Sequence, residues 1–185
     1  MSIASGHIVV IGMGNVLMQD EGIGVRAVEA LQCRYELPPR VSVVDGGTTG
    51  MELMSEIRGC DHLIVADAVN TGAPPGTLVR LKDEEVPAFF QTKLSNHQLG
   101  LSDILALLTL EEGGLPGSVT IVGMVPHELR NMLGLSAGAR RALPRMVEML
   151  ADELRALGAS PRKRERPLPG FWARQDMLER EAPCA

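Results

Sequence analysis

Aromatic residues, cysteines and long apolar runs are all scarce in this sequence. Phe, Trp and Tyr make up 3% of its 185 residues, whereas 45% belong to the hydrophobic set and 22% are charged, which is typical of a folded globular protein. The three cysteines stand at unrelated spacings and form neither a disulfide framework nor a Cys-x-x-Cys metal motif. Runs such as Ile8–Ile11 are far shorter than the ~20 residues of a membrane span. Met1–His7 also lacks the features of a signal peptide, so we expect a cytoplasmic protein without membrane insertion.

Positive charge is also scarce in most of the chain. Up to Gly158 there are 12 basic and 19 acidic residues, whereas the remainder has 6 basic and 4 acidic ones. An acidic body without a basic stripe argues against nucleic acid as a partner and is compatible with cations or basic peptides.

Short β-branched runs alternate with amphipathic segments along the chain. Strands are predicted at His7–Gly12, Arg40–Asp45, His62–Asp67, Thr77–Leu81 and Ser118–Met124, and helices at Gly22–Tyr35, Met51–Ile57, Gln98–Leu110 and Ser136–Leu157. This alternation predicts a three-layer α/β/α fold around a mostly parallel, twisted sheet of about five strands.

The pattern stops after Gly158. The segment Ser160–Gly170 contains three prolines and five charges, so it offers little apolar surface to bury. We therefore predict one domain over residues 1–158 and a flexible C-terminal tail over residues 159–185. Phe171 and Trp172 could dock as a short helix, but a mobile terminus is the simpler interpretation.

A glycine motif follows the first predicted strand. Gly12 and Gly14 imitate the start of a dinucleotide fingerprint, and Asp45 ends the next strand. However, the third glycine of the fingerprint is replaced by Leu17, and the carboxylates of Asp20 and Glu21 would repel a pyrophosphate. A nucleotide-binding enzyme is thus a weak alternative.

Acidic residues follow the carboxyl ends of three predicted parallel strands. Glu21 lies after the first strand, Asp45 ends the second and Asp67 ends the third, and open α/β sheets bind ligands at that edge. His97, at the entry of the next predicted helix, could add an imidazole, and two carboxylates with one imidazole suit nickel or zinc. From spacing alone, the same residues could equally cap helices or pair with arginines.

Other residues with chemical potential fit structural roles better. Cys60, Asp61 and His62 are neighbours in one strand, where successive side chains point to opposite faces, so they do not form a thiol protease site. His7 and His62 open strands, at the edge opposite the acidic residues, and His127 follows Pro126 in a loop.

The chain resembles the nickel–iron hydrogenase maturation endopeptidases. The resemblance lies in Gly12–Leu17 followed by Asp20–Arg26, in Asp45–Thr48, in Asp61–Ala68, in Pro75–Thr77, in Asp83–Pro87 and in Ser95–Leu101 with its His97, in the family's order. It covers roughly His7 to Leu157 and does not reach the C-terminal tail.

The resemblance implies an endopeptidase that removes the C-terminal extension of the hydrogenase large-subunit precursor after nickel insertion. Glu21, Asp67 and His97 match the family's metal-contacting positions, and Asp45 matches an acid associated with cleavage or recognition. Nickel would then be carried by the precursor and recognised by the three ligands, although a metal that activates water is a second possible mechanism. Other divalent ions could occupy the site in vitro.

The precursor is the expected partner, and we expect a monomer. A nickel-binding chaperone that does not cleave the precursor is the alternative function.

Overall fold

The computed structural model describes residues 6–86, 103–110, 112 and 114–175, and its centre is a five-stranded sheet. The strands are β1 (Ile8–Met13), β3 (Val41–Gly47), β4 (His62–Ala68), β5 (Leu78–Lys82) and β6 (Ser118–Met124), and their order is β3-β1-β4-β6-β5. All neighbours pair in parallel except β5, which runs antiparallel to β6. The predicted mostly parallel sheet is confirmed.

Helices cover both faces of the sheet. The principal helices are α1 (Ile23–Arg34), α2 (Met54–Ile57) and α3 (Ala137–Ala156), and the 3-10 turns are Gln19–Gly22, Met51–Leu53 and Asp83–Glu85. Residues 103–108 are also helical, and the rest of the predicted helix Gln98–Leu110 lies mainly outside the described residues. No helix in the described ranges combines the length and apolar character needed to cross a membrane.

Successive side chains of the central strands point to opposite faces of the sheet, so the interior contains two hydrophobic cores. In β1, Ile8 and Val10 face α1 and α3, whereas Val9 and Ile11 face the side of α2 and residues 103–108. Both faces are apolar because a parallel strand covered on both sides cannot expose either set of side chains. This arrangement is the predicted α/β/α fold.

The C-terminal segment, here defined as residues 159–175, lies against the body of the protein. Two residues, Arg162–Lys163, form strand β7, which pairs antiparallel with β2 (Tyr35–Glu36) at the end of α1. The backbone N–H of Leu168 donates to the carbonyl of Cys33 over 2.9 Å, and Glu36 forms ion pairs with Arg162 and Arg164.

These contacts differ from the free linker expected over Ser160–Gly170. The composition is polar, as the sequence analysis noted, but the segment is held by backbone pairing and ion pairs, which need little apolar surface. The division of the chain at Gly158 into a domain and a flexible tail stays a prediction. Residues 176–185 lie outside the described part of the chain.

Candidate functional site

The sheet has a topological switch point between β1 and β4. From β1 the chain crosses over through α1 to β3 on one side, whereas from β4 it continues to β5 and then to β6 on the other side. In open α/β sheets, such a point leaves a crevice at the carboxyl ends of the strands, and ligands bind there. Glu21 lies in the 3-10 turn after β1, and Asp67 lies near the end of β4, so these two predicted ligands flank the crevice.

Both carboxylate residues are buried. Glu21 is 8% exposed and Asp67 is 3% exposed. The Asp67 Oδ1 atom accepts a hydrogen bond from the backbone N–H of Ala68 over 2.7 Å, which helps to fix the side chain at the strand end. Carboxylate oxygens are common ligands of divalent cations, so the chemistry of this pair suits contact with one.

The glycine motif allows the loop after β1 to pack tightly against the strand ends. Gly14 has φ of +128°, and a Cβ there would lie 1.8 Å from the carbonyl oxygen of Glu21. A Cβ on Gly24, in the first turn of α1, would lie 2.1 Å from the carbonyl oxygen of Ala66. Since the backbone of this protein fills the space beside these glycines, they serve packing, and the nucleotide-binding alternative is not favoured.

Asp20 has a different role from its neighbour Glu21. Its side chain is completely buried and accepts four hydrogen bonds: from the backbone N–H groups of His127, Glu128 and Ser136, over 2.9, 3.0 and 2.7 Å, and from the Ser136 hydroxyl over 2.8 Å. The Ser136 hydroxyl in turn accepts from the N–H of Ala139 and caps α3. Asp20 thereby holds residues 127–136 against the loop that carries Glu21, a role that the sequence analysis did not identify.

Asp45 lies at the end of β3, apart from the buried pair. It is level with Gly12 of β1, and Gly12 is level with Ala66 of β4, so β1 separates Asp45 from Asp67. With strands about 4.8 Å apart, the two acids stand roughly 10 Å from each other across the sheet. Asp45 therefore lies beside the crevice and cannot share one metal ion's coordination shell with Asp67 through direct contacts of ~2.0–2.2 Å.

Partial burial raises the pKa of the Asp45 carboxyl, and the negative charge of Glu29 adds to this effect. The backbone N–H of Gly47, 3.0 Å from Oδ1, and the indole N–H of Trp172 oppose the rise because they donate to the ionised form. In the sequence, Trp172 stood out only as a residue that could dock together with Phe171, and its interaction with Asp45 was not predicted.

Trp172 brings the C-terminal segment next to this acid. Its backbone N–H donates to Glu29 Oε1 over 2.9 Å, and the Arg26 guanidinium carbon lies 5.0 Å from the centre of its ring. Gly170 approaches Glu29 so closely that a Cβ would lie 2.7 Å from the carboxylate. The segment thus contacts both α1 and the end of β3.

The third predicted ligand, His97, lies outside the described residues. Among residues 6–86, 103–110, 112 and 114–175, no three His, Cys, Asp or Glu side chains are grouped closely enough to hold a metal ion. The described part of the chain therefore contributes two of the three predicted ligands, Glu21 and Asp67.

The side chains to which the sequence assigned structural roles are Cys60, His7, His62 and His127, and their contacts fit those roles. Burial, with a contribution from Asp61, raises the pKa of the Cys60 thiol to about 11, so it is protonated and weakly nucleophilic at neutral pH. His7 and His62 bond to Ser42 and Ser118 over 2.8 Å. His127 is packed so closely that a Cβ on Gly138 would lie 2.4 Å from its ring.

The fold and the acidic crevice at its switch point define a class, the α/β proteins that bind their ligands at the carboxyl edge of the sheet. Comparison with known proteins is more specific. The family model described as "HycI: Hydrogenase maturation protease" matches residues 25–153. Hydrogenase 2 maturation protease from Escherichia coli is 46% identical over 160 residues, which are 86% of this chain and 97% of that protein.

Solved structures agree. The hydrogenase maturating endopeptidase HybD from E. coli superposes with a TM-score of 0.82 at 45% identity, covering 85% of this chain and 98% of HybD. The [NiFe] hydrogenase maturation protease HybD from Thermococcus kodakarensis gives a TM-score of 0.67 at 25% identity, covering 80% of this chain and 98% of that one. The chain belongs to the hydrogenase maturation protease family, and it is an endopeptidase.

Proposed function

We propose that this endopeptidase removes the C-terminal extension of a nickel–iron hydrogenase large-subunit precursor once nickel has been inserted. The observation that carries the proposal is the pair of buried carboxylates, Glu21 and Asp67, on either side of the switch-point crevice. Such a pair is suited to contact a cation that the precursor brings, because carboxylate oxygens are common ligands of divalent cations.

Glu21, Asp67 and His97 are the proposed contacts to the nickel of the substrate. Two carboxylates and one imidazole form a borderline donor set that suits nickel, and three ligands without a thiolate retain a free ion weakly. Weak binding of free nickel suits this function. A site that is empty without substrate responds to nickel only when the precursor carries it, and so it distinguishes nickel-loaded from nickel-free precursor. Other divalent ions at high concentration would occupy the same ligands.

Asp45 is the proposed acid that acts on the peptide of the precursor. It stands about two strands from Asp67, which is too far for the same coordination shell and suitable for a neighbouring stretch of bound peptide. Its raised pKa favours proton exchange closer to neutral pH than an ordinary aspartate allows. We further propose that the protein acts as a monomer in the cytoplasm, with the precursor rather than nucleic acid as its partner.

The test is cleavage of nickel-loaded and nickel-free precursor, followed by intact-mass spectrometry. Enzyme stripped of metal is expected to shorten the nickel-loaded precursor and to leave the nickel-free one intact. Glu21→Gln, Asp67→Asn and His97→Ala are each expected to reduce the cleavage rate at least 100-fold. Glu56→Gln, an exposed glutamate on α2, is the matched control and should cleave normally.

Two outcomes would overturn parts of the proposal. Turnover of nickel-free precursor by stripped enzyme would exclude recognition of substrate-borne nickel and would favour the second mechanism, a metal that activates water. Binding of nickel-loaded precursor without any shortening would favour the non-cleaving chaperone.

A further inference from the structure

Two loops beside the crevice are joined through their backbones. The first, residues 15–22, carries Glu21, and the second is residues 127–136. The N–H of Met132 donates to the carbonyl of Leu17 over 2.9 Å, and the N–H of Gln19 donates to the carbonyl of Met132 over 3.0 Å. Met18 and Met132 form a parallel bridge between the loops. The two loops therefore present one continuous surface.

This surface exposes large apolar side chains. Leu17 is 60% exposed, Met132 51%, Leu129 44% and Leu133 37%, and we call these four residues the apolar rim. They are four of the ten large hydrophobic side chains that are exposed in the described ranges, although the two loops account for only 18 residues. Such a concentration of exposed apolar groups marks an interaction surface better than scattered surface leucines do.

The rim is fixed rather than adaptable. Asp20, fully buried, accepts hydrogen bonds from the N–H groups of His127, Glu128 and Ser136, at both ends of the second loop. Because these bonds hold the backbone of the loop in register with the first one, they fix the positions from which its leucines project. A buried carboxylate thus maintains an exposed apolar surface next to Glu21.

We propose that the apolar rim docks the hydrogenase large-subunit precursor, through an apolar stretch of its chain that lies next to the nickel site. The proposal rests on the proposed function of the crevice. Its specific support is continuity with the crevice. Leu17 precedes Glu21 by four residues, a span of at most about 14 Å, so a precursor whose metal reaches Glu21 comes within that distance of Leu17. The nearby charges of Glu128 and Arg130 pair with each other over 3.3 Å and leave the rim itself apolar.

The experiment measures affinity and turnover separately on a nickel-loaded large-subunit precursor that the wild-type protein cleaves. The variant Leu17→Ser/Met132→Ser is expected to raise the Kd and the KM about tenfold or more, while kcat at saturating precursor stays within about twofold. The control Leu110→Ser removes an 82% exposed leucine elsewhere and should change neither constant. Melting temperatures of both variants should stay close to that of the wild type, because the replaced side chains are already exposed.

An unchanged Kd in the rim variant would overturn the proposal, and so would an equal loss of affinity in Leu110→Ser. The outcome is separable from that of the proposed function, because Kd is measured with and without the rim substitutions in a Glu21→Gln background, which does not cleave the precursor. Glu21→Gln should bind the precursor and fail to cut it, whereas the rim variant should cut it at saturation. If the rim variant instead lost kcat at unchanged KM, the rim would act on the crevice and would not dock the substrate.

Discussion

The crevice loop, residues 15–22, and the C-terminal segment, residues 159–175, are held on the same body by different means. In the crevice loop, glycines remove steric obstacles and one buried carboxylate collects four hydrogen bonds. In the C-terminal segment, a two-residue strand, ion pairs to Glu36 and the contacts of Trp172 suffice.

The two regions should differ in how much stability they lose when a single interaction is removed, because one relies on a buried charge and the other on more exposed charges. Asp20 is inaccessible to water, so each of its hydrogen bonds is expensive to lose. The ion pairs of Glu36 are only partly buried, since the side chains of Glu36 and Arg162 are 42% and 78% exposed, and such pairs contribute less individually. The crevice loop should therefore be much more sensitive to single substitutions than the C-terminal segment.

The largest effect is expected from Asp20→Ala. Removal of the carboxylate leaves several buried donors without a partner, so we expect a loss of about 3 kcal/mol or more, a fall in Tm of about 10 °C. Calorimetry checks this, with Asp152→Ala as the control, since Asp152 is exposed and pairs with Arg155 on the surface of α3. Equal stability of the two variants would show that the buried hydrogen bonds of Asp20 contribute no more than an exposed ion pair.

Truncation after Gly158 comes next. It removes the β7 pairing and all contacts of Trp172, and we expect Tm to fall by about 5 °C. A second truncation, after Gln175, is the reference, because the difference between the two reports on residues 159–175 alone. If the two truncated proteins have the same Tm, the contacts of the C-terminal segment contribute nothing measurable to stability.

Substitution of Trp172 separates its ring from its N–H group. Trp172→Ala loses the ring over Arg26, a contact typically of about 0.5–1 kcal/mol, so Tm should fall by about 2 °C. Trp172→Phe keeps a ring but cannot donate to Asp45, so the pKa of that carboxyl should rise further. A carboxyl NMR titration checks this, and Leu110→Ala, which removes an exposed side chain elsewhere, should leave the titration unchanged.

The smallest effect concerns pH. Because burial raises the folded-state pKa of Asp45 above its ordinary value of 3.8, the folded protein holds that proton to higher pH than the unfolded chain does. The Asp45 carboxyl therefore stabilises the folded state at pH values below its ordinary pKa, and this stabilisation is lost as the pH rises through the folded-state pKa. The Asp45→Asn variant has no carboxyl group to titrate at this position. The Tm of the wild type minus the Tm of the variant should therefore decrease as the pH rises from acidic to neutral. A flat difference would contradict the raised pKa.

Much of the fold was predictable because its signals are local. The β-branched runs around Val9 and Ile64 predicted two central strands, since a doubly covered parallel strand must be apolar throughout, and the run around Val43 predicted the edge strand β3. The antiparallel direction of β5 and the pairing of β2 with β7 were not predictable, because both depend on contacts between segments far apart in sequence. The strand β7 is also too short to show a pattern.

The positions of Glu21 and Asp67 at the crevice followed from the order of the elements, since carboxyl ends of parallel strands meet at one edge of the sheet. The spacing alone did not identify them as metal ligands, and the resemblance to a family suggested that role. Asp20 could not be distinguished from Glu21 by sequence because both are acids in the same turn. Its partner Ser136 is 116 residues away and becomes its neighbour only through folding.

The order of helices and strands, the two-sided core and the edge at which the acids collect follow from the sequence, because hydrophobic periodicity is a property of neighbouring residues and alternating strands and helices favour parallel pairing. Only the tertiary structure decided that Asp20 anchors a loop, that Leu17 and Met132 share one surface and that Trp172 reaches Asp45. The physical reason is that a hydrogen bond, an ion pair or a shared apolar surface depends on atoms brought within a few ångströms, and distance along the chain does not encode that proximity.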